Sequence, residues 1–419
     1  MILQFSVKNY KTFREKATLS LIASNYDKDT REYDNIYADE KYGFRALKSA
    51  VVYGANASGK TNLLDAFAFM RYFVMSSAQE SHNGENSYLQ PFRLNSESEK
   101  EPSEFEVIFI VNDTLFRYGF EVTTQQVVSE WLFFKPRTKE TELFYRDGND
   151  FEIHKTNFSK AKTIVKEGLV RDNALLVSVA AQFNEKTAIT IVEWFRNLRI
   201  FSSQNEYDFH KFTTNKTENP LYKAKIADFL KAADFGIQNI ILQKKNENSE
   251  HVPYVLTTHK KYDSDKKSVG LVNFSLESEE SSGTIKFFAL AGTILDVLEN
   301  GFILIADELD AKLHSNLVCK ILLLFNSKEF NPKNAQLIFN THDTHLLSLE
   351  LFRRDQIWFA NKDKYGEAKL YSLDDFKSDE VRRSDPFEDN YLKGKYGAIP
   401  FLGFFDNLNY TLSQHENEK

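Results

Sequence analysis

A loop of small residues between an apolar run and a helical pattern constrains the fold of this 419-residue chain more than any other feature. The run SAVVY at 49–53 predicts a buried strand, and KTNLLDAFAFMRYFVM at 60–75 carries apolar residues at helical spacing. Between them, GANASGKT at 54–61 fits the pattern G-x-x-x-x-G-K-[ST]. A strand, a glycine-rich loop and a helix in this order predict an α/β unit whose helix begins at an anion-binding loop.

The residues of this loop suit the phosphates of a nucleotide. Small side chains allow backbone N–H groups to turn inward around phosphate oxygens, Lys60 reaches the β- and γ-phosphates, and the hydroxyl of Thr61 ligates Mg²⁺. A chance match in a turn rich in glycine and serine is the alternative, but the flanking strand and helix favour the site. We therefore predict that a nucleotide and Mg²⁺ bind here. The predicted binding residues are Gly54, Ala55, Asn56, Ala57, Ser58, Gly59, Lys60, Thr61 and Asn62.

Two carboxylates follow another apolar run. FILIA at 302–306 predicts a central strand, and Asp307 and Glu308 come directly after it. Carboxylates at the C-terminal edge of a strand lie where ligands bind in open α/β sheets. Asp307 is suited to hold Mg²⁺ through water, and Glu308 is suited to polarise an attacking water during phosphoryl transfer. A solvated helix start capped by the aspartate is the alternative, which the upstream phosphate-binding loop disfavours.

The rest of the chain changes its pattern several times. Alternating apolar residues between 104 and 147 predict antiparallel hairpins, one of which turns at 112–114. Helical patterns follow from about 156 to 235, and strand patterns return at 238–275, interrupted by HKKYDSDKK at 259–267 as a charged loop. The last third alternates strand and helix, which indicates parallel βα units. The predicted domains are a first lobe at 1–155, a helical insertion at 156–237 and a second lobe at 238–419.

Composition bounds the classes of function. The net charge is −7, from 53 basic and 60 acidic residues, so contact with nucleic acid requires a local basic patch or a partner. Cys319 is the one cysteine and lies in an apolar run, which excludes an intrachain disulfide and predicts a buried thiol in a reducing compartment. The N-terminus lacks the pattern of a signal peptide, and the longest apolar runs, of about five residues, are far shorter than a membrane span. We expect a cytoplasmic protein without a membrane segment.

Further segments lie on either side of the acidic strand. SSGT at 281–284 opens a helical pattern that leads into this strand, and a capped amphipathic helix is its simplest interpretation. Downstream, LDAKLH at 309–314 is followed by QLIFNTHD at 336–343, which is typical of a strand that ends at Thr341-His342-Asp343. Zinc binding at His342 and His345 is disfavoured, because no matching cluster of ligands accompanies them.

Together these features resemble the ABC-type head ATPases, the group that contains RecF, SMC and OLD-type proteins. SSGT matches the position of their signature segment, LDAKLH resembles the D-loop region, and His342 resembles the switch histidine. Two further patterns are similar to RloA and AbiL-type ATPases of bacterial abortive-infection systems: DE-x-D-x-x-x-H, formed by Asp307, Glu308, Asp310 and His314, and YLKGKYGAIPFLG at 391–403. The resemblance spans the chain and implies an α/β fold, namely a P-loop NTPase of the ABC-ATPase head type with a mixed central sheet, an antiparallel β-subdomain and a helical insertion.

The resemblance also implies that ATP is sandwiched between two copies of the chain. Lys60 and Thr61 of one copy would face the serine and glycine of the signature of the other, and His342 would contact the γ-phosphate in cis. The implied catalytic residues are Lys60, Glu308 and His342, and the implied metal ligands are Thr61 and Asp307. The resemblance also adds four residues to the predicted nucleotide-binding site: Ser282, Gly283, Asp310 and Lys11. Lys11 lies in NYKTF, where related heads carry a basic residue, although an ordinary surface lysine is the alternative.

The sequence departs from the pattern of the class in three respects. The signature reads SSGT where transporters have LSGGQ, and Ala57 stands where RecF-like proteins often carry glycine. The glutamine of the Q-loop has no clear counterpart, the candidates being Gln90, Gln125, Gln126 and Gln182.

Three functions remain open. The first is an ATPase sensor or scaffold in anti-phage defence that forms a homodimer or higher oligomer. It would control a separately encoded nuclease of the TOPRIM or RloB type, because the chain itself contains no nuclease pattern. DNA or a phage protein would be its trigger. The second is a RecF-like DNA-repair ATPase. Its candidate basic stretches, HKKYDSDKK and LFRRD at 351–355, are mixed with acids and are predicted to be solvated surface. The third is a nucleotide-dependent scaffold with slow hydrolysis, against which Glu308 argues.

Overall fold

A computed structural model of the chain describes residues 1–26, 30–79, 88–136, 139–233, 236–243, 254–348, 350–377, 380–381 and 385–400. The polar stretch at 77–103, whose sequence is typical of a solvated loop, and the segment at 391–403 lie partly outside these residues. Strands and helices are numbered separately along the chain. The strands are β1 Ile2–Lys8, β2 Ala17–Ser20, β3 Ile36–Ala38, β4 Arg45–Leu47, β5 Ser49–Tyr53, β6 Ser103–Val111, β7 Thr114–Val122, β8 Val127–Lys135, β9 Thr141–Asp147, β10 Asp150–Ile153, β11 Leu198–Phe201, β12 Ile237–Gln243, β13 Tyr254–Tyr262, β14 Ser268–Ser275, β15 Ile303–Ala306, β16 Gln336–Asn340, β17 Ile357–Lys362 and β18 Ala368–Ser372. The helices are α1 Glu32–Asn35, α2 Lys60–Ser76, α3 Ser159–Lys166, α4 Leu176–Gln182, α5 Lys186–Arg196, α6 Glu206–Lys216, α7 Pro220–Ala232, α8 Ser282–Asn300, α9 Ser315–Asn326 and α10 Phe387–Leu392.

The predicted antiparallel hairpins belong to a seven-stranded sheet of order β10-β9-β8-β7-β6-β1-β2. β6 and β7 pair from Val111 and Thr114 outward, and the two turn residues, Asn112 and Asp113, both adopt positive φ, 48° and 54°. Such a turn matches the right-handed twist of the strands, and asparagine and aspartate tolerate it better than most residues. The two N-terminal strands, β1 and β2, complete the edge of this sheet beside β6.

A second sheet, in the order β11-β15-β16-β5-β17-β18, carries the glycine-rich loop at the end of β5. Its pairings are parallel except that of β17 with β18. β16 therefore lies between β5 and β15, and the carboxyl ends of the three strands meet at one edge. β11 lies within the predicted helical insertion and pairs with β15, so this part of the chain contributes a strand as well as helices. The predicted α/β fold with a mixed central sheet and an antiparallel β-subdomain is confirmed.

Apolar side chains cover both faces of the central sheet. Ala50 and Val52 of β5 pack in a core with α2 and the antiparallel sheet, whereas Val51 and Tyr53 pack in a second core with α8 and α9. Successive strand residues point to opposite faces, so a strand covered on both sides has to be apolar throughout. Cys319 in α9 is buried, as predicted, and its burial raises the pKa of the thiol.

HKKYDSDKK, predicted as a loop, instead forms the end of β13 and a turn at 263–267 that leads to β14. Cross-strand pairs such as Lys260 with Leu271 satisfy its backbone hydrogen bonds, so its charged side chains can be exposed without ending the strand. Asp263 closes the turn, because its Oδ1 accepts the N–H groups of Asp265 and Lys267.

LFRRD at 351–355 is not solvated surface, and that prediction is wrong. Arg353 and Arg354 are only 1% and 6% exposed. The guanidinium of Arg353 pairs with the carboxylate of Asp355, and that of Arg354 donates to backbone carbonyls, among them that of Val381. Buried charges need such partners in place of water. No helix in the described part of the chain is long and apolar enough to span a membrane.

Candidate nucleotide-binding site

The loop between β5 and α2 has a backbone that requires small residues. Gly54 and Gly59 have φ of 157° and 110°, and Ala57 has φ of 60°. A Cβ at Gly54 would lie 2.4 Å from the carbonyl oxygen of Ala360, and a Cβ at Gly59 would lie 2.9 Å from Oγ1 of Thr12. The loop is therefore held closely between β17 and the N-terminal turn that contains Thr12, at the start of α2.

Lys60 places a positive charge at the centre of this loop. Its Nζ donates hydrogen bonds to the carbonyl oxygens of Gly54, at 2.7 Å, and Ala55, at 2.9 Å. Burial lowers the pKa of Lys60 to about 8, while Glu308 and then Asp307 act in the opposite direction. A partly desolvated ammonium interacts more strongly with phosphate than an exposed one does, because less water screens it.

Thr61 connects the loop to the acidic strand. Its Oγ1 donates a hydrogen bond of 3.0 Å to Oδ1 of Asp307, and Nδ2 of Asn340 donates to the same oxygen at 2.5 Å. Hydroxyl and carboxylate oxygens are the ligands that Mg²⁺ prefers, so these side chains fit the predicted ion. On the next residue of α2, Nδ2 of Asn62 donates to Oγ1 of Thr12 at 2.9 Å and ties the helix to the N-terminal turn.

Glu308 lies at a left-handed turn directly after β15. Its φ is 47°, which is uncommon for a residue with a Cβ, and its side chain is exposed. The N–H group of Glu308 donates to Oδ1 of Asn340 at 2.5 Å, and its carbonyl oxygen accepts from Nζ of Lys286 at 2.8 Å. The backbone of this turn is thus held on both sides, and the carboxylate is left accessible to water.

His342 lies two residues after the last residue of β16, at the same edge of the sheet. Its backbone N–H donates to Oδ2 of Asp310 at 3.3 Å. Partial burial of the ring, and next the positive charge of Lys60, lower the pKa of His342 and so favour the neutral imidazole. A neutral imidazole keeps one N–H donor, which suits contact with a phosphate oxygen. The predicted residues of the loop, the acidic strand and the strand end are therefore brought together.

Ser282 and Gly283, the predicted signature residues, open α8 and are not part of this cluster. A Cβ at Gly283 would lie 2.6 Å from the carbonyl oxygen of Lys312, so the helix start packs tightly on the segment that follows β15. Ser282 is exposed. Among the hydrogen bonds of the described residues, none joins Ser282 or Gly283 to the loop at 54–62.

Lys11 lies beside the loop, but its ammonium is engaged elsewhere. Nζ is 2.5 Å from a carboxylate oxygen of Asp65 in α2, one turn beyond Thr61. A contact between Lys11 and nucleotide would have to break this ion pair, and the role of Lys11 stays a prediction.

Three residues at this site lie outside the predictions: Asn340, Lys286 and Thr12. Asn340 could have been noticed, because it closes the buried run QLIFN with a polar side chain. Lys286 is 3% exposed in the apolar part of α8, and its Nζ also donates to the carbonyl oxygen of Ala311 at 2.9 Å. A lysine inside an apolar helical run is a signal for a buried partner. Thr12 carries no local signal, since its contacts depend on tertiary packing.

Comparison with known families identifies the class of this chain. A family described as "AAA domain, putative AbiEii toxin, Type IV TA system" matches residues 49–348. The chain belongs to this family. The matched span begins at β5 and includes every predicted site residue except Lys11. This AAA-domain protein belongs to a class of nucleotide-binding ATPases and has the P-loop NTPase fold that the sequence predicts.

Solved structures similar to this AAA-domain protein include SMC head domains. The head domain from Thermotoga maritima is 12% identical, covers 88% of this chain and 98% of its own, and superposes with a TM-score of 0.42. The head domain with an extended coiled coil from Pyrococcus furiosus, bound to the C-terminal domain of ScpA, is 14% identical, covers 88% and 96%, and has a TM-score of 0.39. Among curated protein sequences no match is found.

Proposed function

We propose that this AAA-domain protein hydrolyses ATP with Mg²⁺ at the edge where β5, β16 and β15 end. One observation carries the proposal: this edge gathers Lys60, the carboxylates after β15 and His342 from distant parts of the sequence. A buried cation, hard oxygen ligands and an accessible carboxylate are the parts that phosphoryl transfer to water requires.

Each residue has a distinct task in this proposal. Lys60 binds the β- and γ-phosphates, and Thr61 with Asp307 holds Mg²⁺, which neutralises phosphate charge when bound. Glu308 accepts a proton from the attacking water, since its carboxylate is accessible. His342 donates to a γ-phosphate oxygen, which its neutral form allows.

We further propose that the catalytic unit is a pair of chains with ATP at their shared surface. Ser282 is exposed at the N-terminus of α8, a helix of 19 residues whose N–H groups can face an anion. Because no hydrogen bond in the described residues ties it to its own loop, the signature is free to contact the γ-phosphate held by a second copy. Asp310 would lie at the same surface. Removal of the γ-phosphate then weakens the pair.

A mixing experiment tests this shared site. Lys60→Ala removes the phosphate ligand, and Ser282→Arg blocks the exposed signature, so each variant alone is expected to be inactive. In an equal mixture half of the pairs combine both variants, and each such pair has one intact site. Phosphate release should then return to about a quarter of the wild-type rate. A mixture that stays inactive although both variants fold would contradict the shared site.

Lys60→Ala mixed with Glu308→Gln is the matched control. These two residues act in the same chain, so no pair of this mixture contains an intact site, and the mixture should stay inactive. The wild type compared with Glu308→Gln also tests hydrolysis itself. Equal phosphate release from both would instead indicate the slow, nucleotide-dependent scaffold.

For the cellular role we propose an ATPase sensor of anti-phage defence, of the RloA or AbiL type, that controls a separately encoded nuclease. Support comes from the resemblance of Asp310, His314 and the segment at 391–403 to those ATPases, and from the family description, which names a toxin of a toxin–antitoxin system. A phage protein or DNA would be the trigger. Glu308→Gln with ATP, purified together with the products of neighbouring genes, should retain the nuclease; a preparation in which no such product remains bound argues against this role.

A RecF-like function in DNA repair is the second candidate, and the hairpin of β13 and β14 favours it. Lys260, Lys261, Lys266 and Lys267 are exposed there, and none forms an ion pair among the described residues. Lysines in such a position can bind phosphates of a nucleic-acid backbone. Binding of duplex DNA that weakens steeply with salt, and weakens further in Lys260→Glu/Lys261→Glu, would support this candidate over the first.

A further inference from the structure

Asn340 is a buried amide at the centre of the proposed catalytic edge. It is the last residue of β16 and has no exposed surface. Its Nδ2 lies 2.5 Å from Oδ1 of Asp307, and its Oδ1 lies 2.5 Å from the backbone nitrogen of Glu308. One N–H group of the amide thus donates and its oxygen accepts, so both ends of the side chain are engaged. The reverse orientation would set oxygen against carboxylate and N–H₂ against N–H, so only one orientation is stable.

The two contacts determine the position of both carboxylates. Oδ1 of Asp307 is taken by the amide and by Thr61, which orients the remaining oxygen of the carboxylate. The N–H group of Glu308 belongs to a left-handed residue, a conformation that is unfavourable for a residue with a Cβ and needs a compensating contact. The amide of Asn340 supplies it.

We propose that Asn340 is a positioning residue for ATP hydrolysis, which sets Asp307 for Mg²⁺ and Glu308 for the attacking water. The inference rests on the proposed function. His342 follows two residues later, and the N–H of Thr341 between them is bonded to the carbonyl oxygen of Val52 at 3.3 Å. The C-terminal end of β16 therefore fixes the positions of both carboxylates and of His342 relative to one another.

Asn331 provides a matched control for a purely structural role. It is also fully buried and precedes β16 at the opposite end of the strand. Its Nδ2 donates to the carbonyl oxygens of Phe325 and Ala335, and its Oδ1 accepts the N–H group of Ala335 at 2.7 Å. Asn331→Ala thus loses comparable hydrogen bonds in the same region, but none near the carboxylates.

The test compares wild type, Asn340→Ala and Asn331→Ala by two measurements. Removal of a hydrogen bond that supports a metal-ligating side chain typically lowers metal affinity or activity by about 10- to 100-fold. Asn340→Ala should therefore lower kcat by about that factor. Mg²⁺ is expected to tighten ATP binding, and the Mg²⁺ concentration that gives half of this effect should rise by about tenfold in Asn340→Ala. Its affinity for ATP without Mg²⁺ should change little. Asn331→Ala should lower Tm while leaving kcat and the Mg²⁺ dependence unchanged.

An Asn340→Ala protein that behaves like Asn331→Ala, with lower Tm alone, would overturn the inference. If Asn340→Ala does not fold, Asn340→Asp replaces it, because aspartate keeps an oxygen for the N–H group of Glu308. That variant sets a second carboxylate against Asp307 and should lose at least about tenfold in kcat; a wild-type kcat overturns the inference. Absence of hydrolysis by the wild type would instead remove the proposed function, while the Mg²⁺-dependent binding of ATP still tests Asn340.

Discussion

The hydroxyl of Thr61 donates a hydrogen bond to Asp307, 246 residues further along the chain, and so joins the phosphate-binding loop to the acidic strand. The bond is possible because one strand alone, β16, separates β5 from β15 in the central sheet. Both partners are oxygen ligands of the kind Mg²⁺ requires, at the end of the loop where the β- and γ-phosphates are expected.

Removal of this hydroxyl should abolish the effect of Mg²⁺ without unfolding the protein. Thr61→Val has nearly the same shape but no ligand oxygen, so ATP binding should no longer tighten with Mg²⁺ and hydrolysis should fall by at least about tenfold. Thr61→Ser keeps the oxygen and should retain most of the activity. A titration of ATP binding with and without Mg²⁺ measures the difference, and a Thr61→Val protein that still responds to Mg²⁺ argues against a ligand role.

ATP affinity should decrease as pH rises above about 8. In the nucleotide-free chain, burial holds the pKa of Lys60 at about 8, and only the ammonium form binds phosphate. Above this pH, binding has to take up a proton, so the association constant should fall by up to about tenfold per pH unit. Calorimetry at about pH 9 in buffers of different ionisation enthalpy measures this uptake. Equal affinity for ATP below and above pH 8 would contradict this prediction.

The ammonium group of Lys60 should also make the free energy of unfolding depend on pH. Between about 8 and the ordinary lysine value of 10.5, the unfolded chain binds more protons at Lys60 than the folded chain does. The contribution of Lys60 to the free energy of unfolding therefore rises with pH over this window. Lys60→Met should remove this rise, as seen by urea unfolding at a series of pH values. The Lys60→Met chain should remain folded, because the loop contacts of Nζ are few.

Gly283→Ala should separate nucleotide binding from pairing of two chains. The added Cβ would meet the carbonyl oxygen of Lys312 at 2.6 Å, so the start of α8 has to shift. We expect ATP to bind as in the wild type, while ATP-dependent dimers, measured by light scattering in a Glu308→Gln background, are lost. Ser281→Ala is the control, because it removes only the hydrogen bonds of the N-cap hydroxyl to the backbone and side chain of Thr284 and costs about 1 kcal/mol of stability. Dimers that persist in Gly283→Ala would exclude this role for the signature.

The C-terminal segment should stabilise the strand that carries the loop. Tyr391 packs against Tyr53 with ring centroids 5.7 Å apart, and Tyr371 donates a 2.7 Å hydrogen bond to the carbonyl oxygen of Tyr396. Tyr371→Phe should lower the free energy of unfolding by about 1 kcal/mol. Gly397→Ala should lower it further, since φ there is 69° and the Cβ would lie 2.8 Å from the hydroxyl of Tyr371.

Urea unfolding monitored by tyrosine fluorescence gives these differences. Tyr365→Phe is the control, because that side chain is exposed and its loss of a hydroxyl should have no measurable effect on stability. A Gly397→Ala protein as stable as the wild type would mean that the segment at 391–400 contributes nothing to the strand. YGAIP at 396–400 thus has a packing role that the sequence alone did not indicate.

The sequence by itself determined the local elements and the chemistry of their ends. Apolar periodicity depends on near neighbours, so β5, α2 and the hairpin of β6 and β7 follow from it directly. The loop at 54–61 has a pattern that few structures other than a phosphate site require, and the carboxylates after β15 are recognisable for the same reason. The fold class and most residues of the candidate site were therefore predictable from short windows of sequence.

Only the tertiary structure decided which strands are neighbours and which charged groups are buried. β16 follows β15 in sequence but lies between it and β5, and this order makes Asn340 the partner of Asp307. Arg353 is buried because the backbone of Thr30, far away in the chain, accepts from it, whereas its own neighbours suggest a solvated surface. Strand order and burial result from the packing of residues distant in sequence, and no local pattern of side chains specifies such contacts.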